Sequence, residues 1–84
     1  MKIVWDEPKR QRNLQERGLD FADVDLEFFA ASTMAQAKNG RSRAIGEFRG
    51  KIVTVIFKPL GSEAISVISM RPASRNERKA HGQA

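Results

Sequence analysis

The sequence predicts an α+β fold: an antiparallel sheet of three to four strands, with two N-terminal helices and a short C-terminal helix packed on one face of it. Three observations carry this prediction. Three apolar runs, at 41–48, 51–58 and 63–70, are separated by the short turns Arg49-Gly50 and Pro59-Leu60-Gly61, the pattern of a β-meander. Ahead of them, two segments each open on an aspartate able to cap a helix, Asp6 and Asp20. Behind them, Ser74-Arg75-Asn76-Glu77 has the serine-to-glutamate spacing of a capping box.

Taken in order, Lys2 to Trp5 is a short apolar run that suits an edge strand. Residues 6–17 read as a helix, with Pro8 tolerated in its first turn and Gly18 as its stop. Leu14 is its only large aliphatic residue, and Lys9, Arg10, Arg12 and Arg17 crowd it, so it must lie on the surface. Lys9, Asn13 and Arg17 are four apart and share a face. Residues 21–31 predict a second helix whose stripe of Phe21, Val24 and Phe28 is widened by Ala22, Leu26 and Phe29. Asp20, Asp23 and Glu27 fall on the other side, as a solvated ridge rather than a metal site. Residues 32–39 have no clear period, though they admit a strand, and Asn39-Gly40 marks a turn. Ile52 to Phe57 is apolar on both faces, as a central strand should be. A terminal helix is expected at 75–81, with residues 82–84 frayed.

Length and composition narrow the function. The 84 residues argue a single domain, 1–84, too small for a deep cofactor pocket. Fifteen Lys and Arg against ten Asp and Glu leave a charge of +5, which favours an anionic partner. No cysteine is present, which excludes disulfides and thiolate metal sites, and a single histidine cannot build a multi-histidine one. No cofactor and no metal are therefore expected. The first residues carry too short an apolar run for a signal peptide, and no run approaches the ~20 residues of a membrane span. The expected location is the cytoplasm.

The chemistry concentrates at the end of the chain. The run Ile65 to Met70 leads directly into Arg71, Arg75, Arg78, Lys79 and His81, diluted only by Glu77. A strand end fixes Arg71, and a helix then aims Arg75, Arg78 and Lys79 nearby, an arrangement that suits a phosphate backbone. A guanidinium binds phosphate oxygens in pairs and keeps its charge. The competing reading for Arg71 is an ion pair with Glu77 or with an acid of the second helix.

The chain also resembles the BrnT toxins of type II toxin–antitoxin systems. The residues that carry the resemblance are Trp5-Asp6-Glu7-Pro8-Lys9, Asn13, Gly18, Phe21 and Phe28, then Arg41 with Ala44-Ile45-Gly46. Gly50, Ile52 to Phe57, Ile65, Ile68-Ser69, Arg71, Ala73, Arg75, Glu77 and Arg78 complete them. The resemblance implies a RelE/ParE-like fold and an RNA-cleaving toxin. It also implies neutralisation by a BrnA-like antitoxin whose ribbon-helix-helix region binds DNA, so that operator DNA is met only through the antitoxin. The chain has Glu16-Arg17-Gly18 where the family usually has Lys-His-Gly, Ser66 where a strand arginine is usual, and His81 where an aromatic is usual.

Metal-free RNA cleavage needs a base for the ribose 2′-hydroxyl, cations for the phosphate and an acid for the departing 5′-oxygen. Arg71 and Arg75 are the expected phosphate ligands, with Arg41 near them and Arg78 and Lys79 as further backbone contacts. Lys9, Glu47 and His81 compete for proton transfer; imidazole changes charge near neutral pH, and a strand carboxylate can be tuned by burial. The alternative is a binding module without catalysis that holds an antitoxin or contacts nucleic acid, which Ser66 favours. Apolar residues around a wide arc of the second helix also suggest a partner chain.

Overall fold

The computed structural model describes residues 1–82. Its elements are β1 (Lys2–Trp5), α1 (Glu7–Arg17), a 3-10 turn (Phe21–Asp23), α2 (Leu26–Ala30), β2 (Thr33–Gln36), β3 (Ser42–Phe48), β4 (Lys51–Leu60), β5 (Ala64–Pro72) and α3 (Arg75–Ala80). The expected frayed residues 83 and 84 lie outside the described chain, and Gly82 closes the turn after α3 through its amide to the Lys79 carbonyl.

The sheet has five strands in the order β1-β5-β4-β3-β2, not three or four. It is mixed, not antiparallel: β1 runs parallel to β5, with Ile3 beside Ile65 and Trp5 beside Val67. The segment without a clear period becomes β2, because Asn39 and Gly40 both take positive φ, 62° and 72°, and turn the chain back into β3. The second helix is also broken. Asp20 caps the 3-10 turn by accepting the Ala22 amide, Val24 is extended, and Asp25 caps α2 by accepting the Phe28 amide. Two aspartate caps five residues apart divide what the apolar stripe alone would have made continuous.

Strand alternation divides the sheet into two faces. Val53, Val55 and Phe57 of β4 share one face with Ala44 and Gly46 of β3 and with Val67 and Met70 of β5. Phe21, Val24, Phe28 and Phe29 close that core, with edge-to-face rings at Phe28–Phe29 and Phe29–Phe57. A Cβ on Gly46 would stand 2.7 Å from Ser32 Oγ and 3.0 Å from the Phe28 ring, so α2 can sit this close only over glycine.

The third helix corrects the expectation that the helices share a face. Thr54 is out of phase with Val53 and Val55 and points the other way, yet it is fully buried. What covers it is α3, whose Glu77 accepts its hydroxyl at 2.9 Å. The short C-terminal helix thus packs on the face opposite α2.

The sparse apolar content of α1 is offset by one polar residue. Asn13 is its only buried side chain; its Oδ1 accepts the Met70 amide at 3.2 Å and its Nδ2 donates to the Leu19 carbonyl at 2.9 Å. Pairing with β1 stops at Val67, so β5 has an open edge beyond that point, and α1 is tied alongside it. A register shift between Ile56 and Phe57 leaves Ile68 opposite no β4 residue and sharpens this edge.

Candidate nucleic-acid interface

The site is built on the α3 face around one carboxylate. Register places Arg71 opposite Thr54 and Arg43 opposite Ile56, on the same face of the two strands that flank β4. Glu77, the third residue of α3, descends between them. Arg71 donates from Nη1 to Glu77 Oε1 at 2.6 Å and from Nη2 to Oε2 at 2.9 Å, while Arg43 Nη1 donates to Oε2 at 2.9 Å. The Thr54 hydroxyl and the Ser74 amide complete the shell of Oε1 at 2.9 and 2.8 Å. The Ser74 hydroxyl in turn accepts the Glu77 amide, so the predicted capping box is present and its carboxylate also clamps two arginines.

The electrostatics follow from this geometry. Glu77 is only 4% exposed, and the Arg71 guanidinium beside it, rather than burial, decides its protonation: its carboxyl is held well below the usual carboxylate range. Arg71 is pushed up in return, chiefly by its bond to Glu77. One buried negative charge fixes two positive ones, and the triad keeps a net positive charge. The arginines are not sealed in. Their side chains are 33% and 31% exposed, and both line a groove with Gln36, Ala37, Lys38 and Ile56.

The expected site residues distribute as follows. Arg71 stands in the clamp, paired with Glu77 as the ion-pair reading expects, and its side chain stays 31% exposed. Arg75, Arg78 and Lys79 are exposed along α3, with Arg78 donating to the Ala73 carbonyl at 3.2 Å. Arg41 is half-buried in the β2–β3 turn, where its amide donates to the Lys38 carbonyl. His81 ends α3, and its Nδ1 shares a 2.8 Å hydrogen bond with Thr33 Oγ1, so it is anchored to β2. Lys9 lies across the sheet edge on α1, lining a groove with Arg12, Arg17, Ile68 and Ser69. Glu47 is exposed near the acids Asp23, Asp25 and Glu27. The three proton-transfer candidates therefore occupy three separate places.

Two residues of the site have no strong signal in the sequence. The sequence singles out Arg41, whereas it is Arg43 that points onto the face of Arg71. Thr54 sits in a run that reads as apolar, although one hydroxyl among Ile52, Val53, Val55, Ile56 and Phe57 signals a buried polar partner. Among the described residues no group of three or more His, Cys, Asp or Glu could hold a metal ion.

A family model described as the ribonuclease toxin BrnT of type II toxin–antitoxin systems matches residues 5–77. Among solved structures, the chain is similar to the 1.1 Å crystal structure of the Brucella abortus ribonuclease toxin BrnT, at 60% identity and a TM-score of 0.83, over 89% of this chain and 99% of that one. A search of curated proteins finds no match.

Proposed function

The chain belongs to the BrnT family of ribonuclease toxins of type II toxin–antitoxin systems, and from that premise we propose that it cuts RNA without a metal at the groove formed by Arg43 and Arg71. The single observation that supports this is the clamp: two partly exposed guanidinia fixed on one buried carboxylate. Preorganised cations aimed at a phosphate act where charge grows in the transition state, and they need no reorganisation as the reaction proceeds.

In this reading the ribose 2′-oxygen attacks phosphorus, its proton passes to a base, and the P–O5′ bond breaks as an acid protonates the leaving oxygen. Arg43 and Arg71 hold the non-bridging oxygens. Arg75, Arg78 and Lys79 contact the flanking backbone from α3, and Arg41 does so from the β2–β3 turn. His81 moves the proton. It is on the same face as the clamp, and a second groove that Arg43 lines reaches Ala80 beside it. Thr33 fixes its ring. Glu47, among other acids, has no part in this reading.

A type II toxin has an antitoxin partner. We propose that this partner carries a ribbon-helix-helix region and supplies all contact with operator DNA. The support is the shape of this chain: α1 lies along β5 and α3 has six residues, so neither stands free to enter a major groove. No helix among the described residues is long and apolar enough to cross a membrane.

The test is cleavage of a synthetic RNA by purified protein in the presence of EDTA. Wild type is expected to cut it. Arg71→Ala and Arg43→Ala are expected to lose about 10²-fold or more in rate, and His81→Ala to lose about 10²-fold or more, each with the far-ultraviolet spectrum of a folded chain. Cleavage by folded Arg71→Ala at the wild-type rate would refute the assignment.

A further inference from the structure

We propose that the basic face of α1 is a second phosphate-binding surface, which carries the strand of RNA flanking the scissile bond away from the Arg43–Arg71 groove. This rests on the ribonuclease reading above and names the path of its substrate.

The fold already uses some of its cations internally. Arg10 is spent inside the molecule, on Glu7 at 2.8 Å and Asp20 at 2.9 Å, and it pulls the Glu7 carboxyl down to about 2. Arg49 is spent on Asp23 and on the face of Phe48. Lys9, Arg12 and Arg17 have no ion-pair partner among the described residues. They stand on the exposed side of α1, lining one groove with Glu16, Ile68 and Ser69. Eight residues of helix separate Lys9 from Arg17, so the cations span about 12 Å.

Continuity with the clamp decides what this groove receives. Ser69 lies at its floor, two residues before Arg71 on the same strand and paired with Ile56. Ile56 lies in the groove of Arg43 and Arg71. The two grooves therefore adjoin across the Ile56–Ser69 pair of β4 and β5, beside the open edge of β5 where Asn13 ties α1 down. Lys38, Arg43, Arg71, Arg12, Lys9 and Arg17 make one band, with six cations against the carboxylates of Glu77 and Glu16. Most of the chain's excess positive charge lies on this path. Six cations strung along two adjoining grooves match the repeated charges of a phosphate backbone, and the Ile56 and Ile68 side chains beside them give bases an apolar surface.

The experiment uses 2′-O-methyl single strands, which lack the attacking hydroxyl and so bind without being cut. Affinity is measured against salt for strands of about 12 and about 3 nucleotides. Each cation neutralising a phosphate contributes about 0.7 to the log–log slope on single strands. For the longer strand, the pair Arg12→Ala/Arg17→Ala is expected to lower the slope by about 1.4, and Arg12→Lys/Arg17→Lys to restore it. Lys51→Ala, one charge removed on the opposite face, is expected to leave the slope in place. The short strand is expected to lose far less than the long one. Both arginines are exposed, and a thermal melt confirms that the variants fold.

An unchanged slope in the Arg12/Arg17 variant overturns the proposal while leaving the clamp intact. Lost capture of the antitoxin with an unchanged RNA slope also overturns it and assigns the groove to a protein partner. A wild type that binds neither strand overturns the ribonuclease reading as well.

Discussion

Replacing Glu77 by glutamine tests the central claim, because it keeps the shape of the clamp and removes its charge. The carboxylate accepts five hydrogen bonds, three of them from guanidinium groups. Glutamine offers one acceptor oxygen and points an NH2 donor at donors. It also leaves two positive charges facing each other. Breaking a fully buried pair by removing one partner costs about 3–5 kcal/mol. Both arginines are about a third open to water, which recovers part of that, so the loss should be about 3 kcal/mol. A domain of this size holds roughly 4–12 kcal/mol in total. The melting temperature should fall by roughly 12–24 °C, at about 4–8 °C per kcal/mol.

The pH dependence gives an independent reading with a definite sign. Glu77 has a lowered pKa in the folded protein, so the folded state keeps it ionised where the unfolded chain would already bind a proton. Its contribution is present above the unfolded value, about 4.3, and drains away as pH falls from there toward the folded pKa. Wild type should lose stability in acid with up to about 1.4 kcal/mol per pH unit from this one group. Glu7 and Asp20 also have lowered pKa values, but both remain in Glu77→Gln. The difference between the two urea-unfolding curves, followed from pH 7 to pH 2, therefore isolates Glu77. The groove itself becomes one charge more positive, so RNA should be held more tightly at low salt and cut more slowly, since the guanidinia lose their fixed aim. If Glu77→Gln melts within about 3 °C of wild type and the two pH profiles run parallel, Glu77 does not hold the arginines and the reasoning fails.

Other perturbations probe the frame around the clamp. Asn13→Ala leaves the Met70 amide without its acceptor at the β5 edge, and urea denaturation should show a loss of about 1–3 kcal/mol. Gly46→Ala forces a methyl against Ser32 Oγ and the Phe28 ring, and a thermal melt should report about 1–3 kcal/mol from displacement of α2. Asp25→Ala removes the acceptor of the Phe28 amide and should cost about 1 kcal/mol in the same melt.

What the sequence made legible was mostly local. Asp6, Gly18, the Asn39-Gly40 turn and the Ser74–Glu77 box act within four residues of themselves, and each stands where its spacing put it. What it hid depends on pairs far apart in the chain. Nothing near Lys2–Trp5 says that it will lie parallel to residues 64–67 rather than antiparallel to another strand. Arg43 and Arg71 are 28 positions apart, and only the register of β3 on β4 and of β4 on β5 puts them beside one carboxylate. Glu77 shows the limit most plainly. As a capping residue it was readable from its spacing to Ser74, whereas its burial followed from strands that a single sequence does not align.

The same residues explain why α3 exists. A six-residue helix is far below the length at which helices persist alone, and this one brings little apolar surface beyond Ala73 and Ala80. Its attachment is polar: Glu77 to three side chains of the sheet, the Ala73 amide to the Ile52 carbonyl at 3.0 Å, and His81 to Thr33. Without the arginines the helix has little to dock on, and without the helix the arginines have no carboxylate to fix them. Docking of α3 and ordering of the phosphate site are then one equilibrium. Hydrogen exchange should show it: in Arg43→Ala/Arg71→Ala the α3 amides should exchange as freely as a terminus, while those of β4 keep most of their protection under the α2 core. Protected α3 amides in that variant would mean that the helix is held by something other than the clamp.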